Sequence, residues 1–396
     1  MRKARPGRGR EASAALSFVV LIGVLSLFAD MTYEGARGIY GPFLATFGVS
    51  GALVGFVSGL GELAGYGVRL LSGYLSSRTG RYWLITGVGY VVNLLAAPLL
   101  ALAGDWQLAA ALIVLERIGK GLRNPPRDAM LSHAGTVIGQ GWAFALREAL
   151  DQTGALVGPL AVAAILYLGG SYHLAFAFLA VPAAVSLLVL LQARLRYPNP
   201  RSMERTGEAF AQKNVGSRLP AAFWTYLGAM MLVALGYADF GLISFHLASE
   251  TSGSLIPILY AVAMAVAGAS ALLFGRWFDR GGMPVLALAV VISAFFAPLA
   301  FLGGTGAAAA GVVLWGVGMG IQDSLMSAPV AGMIPAARRA YAYGVFSACY
   351  GVAWFVGSWL LGVLYDHSVM GLVAFSVVVQ LLAVPVLLAT RRTAGG

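Results

Sequence analysis

VLERIGKGLRNPPRD, residues 114–128, places six ionisable side chains in fifteen residues of a chain that otherwise avoids charge. Either this stretch is a loop in water, or part of it lies inside a membrane and has work there. The surrounding sequence decides. The chain of 396 residues is 59% apolar and 11% charged, whereas a soluble domain carries roughly 25% charged residues. Long apolar runs with short polar breaks point to a polytopic membrane protein. The 52 glycines suit transmembrane helices that approach one another closely.

Crossing a hydrocarbon core of roughly 30 Å takes about 20 helical residues. That ruler predicts twelve helices, beginning near residues 15, 51, 82, 107, 139, 173, 219, 254, 283, 308, 340 and 369. The segments are too long for barrel strands, and helices satisfy their backbone groups internally. The connections near 44–51, 102–108, 167–174, 247–254, 302–308 and 366–371 contain no Lys or Arg. The other side holds the basic tail (Arg2, Lys3, Arg5, Arg8, Arg10), Arg78, Arg81, Arg276, Arg280, Arg338, Arg339, Arg391 and Arg392. Both termini are therefore expected in the cytoplasm, with the chain in the cell's inner membrane. The first apolar segment is too long for a signal-peptide core and carries charge deep inside, so cleavage is not expected.

This reading gives an all-α membrane protein of twelve transmembrane helices in two pseudo-symmetric six-helix bundles. The expected boundaries are a basic tail over 1–14, bundles over 15–195 and 219–390, a linker over 196–218 and a C-terminal tail over 391–396. The basic, Pro-broken linker has room for an interfacial helix. The halves repeat. Leu27–Ala45 resembles Gly236–Ala248, placing Asp30 opposite Asp239, and Gly73–Arg81 resembles Gly275–Gly282. Ile118–Asn124 matches Val317–Asp323, and Gly158 matches Gly357, both at an offset of 199 residues (317 − 118 and 357 − 158). A shared offset argues for duplication.

Twelve spans, the central linker and these motifs together resemble the major facilitator superfamily over essentially the whole chain. Its loop signature between spans two and three appears as Gly73, Leu75, Ser77, Arg78, Gly80 and Arg81, with Ser77 where the family usually has Asp. The second copy, Gly275, Asp279, Arg280 and Gly282, keeps the acid. The resemblance implies that these loops form a gating latch. In it Gly73 permits close helix contact, Ser77 caps a neighbouring helix, and Arg78 and Arg81 meet carboxylates or helix ends. Arg117 and Gly121 match the family's Arg-x-x-x-Gly signature in span four. Gly154, Gly158 and Pro159 match part of an antiporter motif in span five, although Ala161 and Val162 stand near the missing glycine pair.

Charges at bilayer depth are costly, roughly 2.5–3.5 kcal/mol each on insertion scales, so they imply a polar interior or pairing. Asp30, Glu34 and Arg37 share one face of span one and must look inward. The opening stretch divides accordingly. Glu116 and Arg117 are expected about halfway down span four, with Lys120 and Arg123 nearer the inner end. Pro125 and Pro126 disfavour helix before them, which puts Arg127, Asp128 and His133 in or beside a loop. Arg117 and Arg147 are expected to offset Glu116, Glu148 or Asp151 across the contact between spans four and five.

In this family the first span of each half lines a central cavity, so the resemblance makes Asp30, Glu34 and Asp239 candidates for proton coupling, with Arg117 as modulating base. Tyr33, Arg37, Glu62, Asp151, Tyr237, Phe240, Asp323, Tyr350 and Trp354 are candidate substrate contacts. Each aromatic among them reads equally well as packing or interfacial anchoring.

The single Cys349 excludes an internal disulfide, and four scattered histidines offer no metal-ligand spacing. No phosphate loop or nucleophile motif appears, so no cofactor and no enzymatic activity are expected. The net charge of +10 lies mostly in tails and loops, and nucleic acid is not expected as a partner. The expected partners are the bilayer, protons and a small-molecule substrate, with the chain a monomer. Proton-coupled export of a small amphipathic compound by alternating access is the first reading. Proton-coupled uptake of an organic anion and a non-transporting receptor or assembly factor are the alternatives.

Overall fold

The computed structural model describes residues 8–199, 219–325, 328–335 and 338–393, and the described residues form helices without strands. The interfacial helix expected in the linker lies outside the described residues, as does the side chain of Asp323. Twelve spans follow in order. In the first half they are Arg8–Arg37 with Tyr40–Ala45, Gly51–Thr79, Tyr82–Leu99, Trp106–Ile138, Gln140–Tyr167, and Tyr172–Phe178 with Ala180–Arg196. In the second they are Ala221–Gly236 with Phe240–Glu250, Leu255–Gly281, Met283–Ala294 with Phe296–Leu302, Thr305–Leu325, Arg339–His367, and Val369–Thr393.

Local sequence sets several ends. Ser50, Asp105 and Ser171 accept hydrogen bonds from backbone N–H groups of the first turns of spans two, four and six. Gly80, at φ +68°, ends span two in the left-handed conformation that favours glycine. Eleven helices among the described residues are long and apolar enough to cross a membrane. Span four falls outside that group because it carries Glu116, Arg117, Lys120 and Arg123 in its membrane-crossing part.

Span four also corrects the sequence reading. The helix runs unbroken from Trp106 to Ile138, so Arg127, Asp128 and His133 are helical rather than in a loop. A proline deprives the carbonyl four residues earlier of its donor. Pro126 does this to Leu122, and the Ser72 hydroxyl of span two donates to that oxygen at 2.5 Å. A neighbouring helix thus satisfies the freed group, which is how membrane helices tolerate proline.

The offset of 199 residues reappears as packing. A Cβ on Gly121 would come within 3.1 Å of the Gly65 carbonyl carbon in span two, and one on Gly320 within 2.7 Å of the Ala267 carbonyl carbon in span eight. Gly158 packs in the same way on Met31 of span one, and Gly357 on Leu235 of span seven. Met31 therefore stands opposite Leu235, and Asp30 opposite Ala234. The expected pairing of Asp30 with Asp239 fails, because register is set by where these glycines meet the first span of each half, and the shared Ala-Asp dipeptide sits more than a turn apart.

Between the halves, span two packs on span eleven and span five on span eight. This is the exchange that two-fold-related bundles require. The face away from the termini is closed. There a Cβ on Gly41 would strike Ser244 and the Phe245 backbone. The Asp366 carboxylate at the end of span eleven accepts from Gly51 N at 2.7 Å and Ala52 N at 2.8 Å, capping span two.

Gly121→Val forces span four away from span two and is expected to cost about 3 kcal/mol. Gly87→Ala, with nothing within 4 Å of the added carbon, is expected to be neutral or slightly stabilising. Denaturant titrations in detergent check the contrast.

Candidate functional site

Span one and span four meet face to face with opposite charge. Asp30, Glu34 and Arg37 lie along one face of span one, each buried. Arg117, Lys120, Arg123 and Arg127 recur at helical spacing on span four. Lys120 Nζ stands 3.5 Å from Glu34, and Arg123 stands 3.6 Å from Asp30. The bases also rest on aromatic faces. Lys120 sits 4.1 Å from the Tyr33 ring centre, and Arg123 sits 4.4 Å from that of Tyr90.

Deeper in, the pairing reaches across the molecule. Arg37 donates to Glu62 of span two at 3.2 Å and to Asp239 of span seven at 3.3 Å, so it ties the two halves together. Asp239 occupies the break in span seven, where its carboxylate also accepts from Gly241 N at 2.9 Å. Arg117 lies between Glu62, at 3.4 Å, and Glu116, at 3.5 Å. Glu116 is fully buried, and the Asn93 amide donates to its carboxylate at 2.7 Å. Tyr260 of span eight donates to Glu34.

The expected pairing across spans four and five is not what forms. Arg147 turns along its own helix to Glu148, at 2.7 Å, and to Asp151. Arg117 faces span two instead, because Gly61 and Gly65 leave room there for its stem and backbone.

These groups border a cavity of about 440 Å³ running from Arg37, Glu62 and Arg117 toward Asp128 and Glu148, nearer the face that carries the termini. Seven basic and six acidic side chains line it, all from the first half. The second half contributes Met264, Ala267, Met319, Gln322, Tyr350 and Trp354. One wall is therefore ionic and the other apolar and aromatic, with Tyr350 Oη donating to Gln322 at 2.5 Å.

Of the residues singled out from sequence, Asp30, Tyr33, Glu34, Arg37, Glu62, Arg117, Asp151, Tyr350 and Trp354 border the cavity. Tyr237 and Phe240 do not. They are fully buried against Trp315, with the Tyr237 hydroxyl donating to the Trp315 carbonyl, because the break in span seven turns them into the second bundle's core. Asp239 also lies outside the cavity lining, engaged by Arg37 and the helix it caps.

The loop motif behaves differently from the latch the resemblance implied. The Ser77 hydroxyl donates to the Tyr74 carbonyl within its own helix rather than capping another. Arg78 donates to the Tyr74 hydroxyl at 2.6 Å, and Arg78 and Arg81 meet no carboxylate among the described residues. A Cβ on Gly73 would make only ordinary contact with Pro125, at 3.6 Å. Asp279 and Arg280 are exposed and form no ion pair among the described residues.

Sequence reasoning left Lys120 and Arg123 at a helix end and missed Tyr260 altogether. The regular spacing of bases from Arg117 to Arg127 was a usable signal, hidden by reading the two prolines as a stop. Nothing in the sequence marks Tyr260, which depends on how span eight rotates against span one.

The sequence model of the Major Facilitator Superfamily matches residues 19–358. The chain belongs to that superfamily. It is similar to an uncharacterized protein of Mycobacterium tuberculosis, 41% identical over 98% of this chain and 96% of the relative. An MFS-type transporter of Methanocaldococcus jannaschii is 30% identical over 48% of this chain and 47% of its own length. Among solved structures, a variant of the nucleoside transporter NupG superposes with a TM-score of 0.75 at 13% identity, over 95% of this chain and 99% of that one. The superfamily member described here is a multi-pass membrane transporter.

Arg37→Gln leaves Asp239 buried without its cation, and the loss is expected to reach about 3 kcal/mol. Adding Asp239→Asn should restore most of it. Equal losses in the single and double variants, read by unfolding in detergent, would show that this pair does not join the halves.

Proposed function

We propose that the transporter works by alternating access and moves a small amphipathic organic anion together with protons. The observation carrying this reading is the two-walled cavity, in which bases outnumber acids and the acids of span one are each held by a base of span four. An anionic cargo arriving at Lys120 or Arg117 competes for these cations. A carboxylate deprived of its partner in a water-poor site is stable only with a proton bound. Cargo and proton then travel together, with Asp30 and Glu34 as proton carriers and Arg117 as the base that couples them to Glu62.

The basic face carrying the termini is taken as cytoplasmic, and this structure is then the inward-open state. The Asp366 cap and the Gly41 contact close the outer face, and the cycle must break both. In the bilayer the transporter acts as a monomer, with its site enclosed by one chain.

A second reading, export in exchange for protons, is favoured by one feature. Gly154 and Gly158, the part of span five shared with antiporters, pack on Leu27 and Met31 around Asp30. In proteoliposomes under an imposed pH gradient, substrate moving with the proton flux supports uptake, and substrate moving against it supports export. Asp30→Asn and Glu34→Gln are expected to abolish gradient-driven accumulation of the anion while leaving exchange of labelled for unlabelled substrate. Undiminished accumulation in both variants would remove them as proton carriers.

A further inference from the structure

One corner of the cavity is unlike the rest. Arg69 lines its mouth, and among the described residues it is the one cavity base with no carboxylate within ion-pair distance. Its guanidinium lies over the Tyr66 ring, 5.3 Å from the centre. From there aromatic rings continue inward. Tyr66 meets Tyr350 edge-on with centroids 5.8 Å apart, and Tyr350 meets Trp354 at the same separation. The series crosses from span two of one half to span eleven of the other, and Met264 and Met319 border the same space.

Trp354 adds an independent observation. Three tryptophans are buried. Trp83 donates its indole N–H to the Tyr197 carbonyl and Trp315 to the Ala238 carbonyl, each at 2.9 Å. Trp354, only 3% exposed, lines the cavity and has no partner for its indole nitrogen. A buried indole N–H normally finds an acceptor, and an unmet buried donor is costly. A cargo atom would complete it.

We propose that this corner is a subsite for planar aromatic monocarboxylates. Arg69 gathers the anion at the mouth, the Tyr66–Tyr350 seam stacks the ring, and Trp354 Nε1 donates to a carboxylate oxygen of the seated cargo. Flat rings stack on such a seam with offset or edge contact, and the methionine thioethers adapt to their edges. A puckered ring of equal charge lacks the flat face. Because the seam joins the two halves, cargo seated there touches both sides of the interface that must rearrange. The proposal rests on the anion-transport reading and narrows it.

The test compares benzoate and salicylate with cyclohexanecarboxylate in proteoliposomes of the full-length protein under a proton gradient. The flat anions are expected to show a KM at least about tenfold lower than the puckered one. Trp354→Phe keeps the ring and removes the donor, and should raise the KM for benzoate about tenfold with little change in kcat. Arg69→Gln should raise the same KM and flatten its dependence on salt. Equal KM values for flat and puckered anions, both moving with protons, would overturn this subsite and leave the transport reading standing, as would an unchanged KM in Trp354→Phe. No gradient-dependent flux of any of these anions would overturn both.

Discussion

The structure depends on one constraint: charge buried at bilayer depth has to be answered by opposite charge on a neighbouring helix. Span one brings two acids and a base, and span four brings a row of bases. Each helix alone would be expensive to place in lipid. Together they fix their mutual rotation, since a turn of either helix would separate Glu34 from Lys120 and Asp30 from Arg123. The distances of 3.5 and 3.6 Å are long for hydrogen-bonded pairs. They are still ion pairs, and they hold the two helices in register.

Glycine makes the arrangement possible. Gly121 and Gly158 bring spans four and five close to spans two and one, and Gly320 and Gly357 repeat the contacts in the second half. The same backbone approach in both halves leads to different chemistry on their inner surfaces. The first half carries the cavity's ionisable groups, and the second offers an apolar and aromatic face. Arg37 is where they meet, reaching Glu62 on one side and Asp239 on the other. A rearrangement of the halves that separates span one from span seven has to break the contact between Arg37 and Asp239.

Much of this was legible from sequence, for identifiable reasons. Hydropathy and loop charge depend only on local composition, so the spans and the inward-facing acids of span one were readable. The glycine offset was readable because duplication keeps helix-contact residues in place. The cationic row of span four was obscured by Pro125 and Pro126, whose freed carbonyl is met by Ser72 of another helix, a remedy invisible in local sequence. Tyr237 and Phe240 were misplaced because the break in span seven sets their direction. The latch motif carried a family expectation, but Ser77 and Arg78 bond to Tyr74 within their own helix.

The central claim is that protons on the span-one acids control the relative position of the two halves. It is tested most directly by pulsed electron-electron resonance with spin labels at Ser77 and Asp279, one at the exposed end of each half, in a Cys349→Ser background reconstituted in nanodiscs. Two interconverting distance populations are expected, whose ratio changes between acid and alkaline pH and stops responding when Asp30 and Glu34 are both neutralised. A single distance that ignores pH, or a response that survives loss of both acids, would contradict the account.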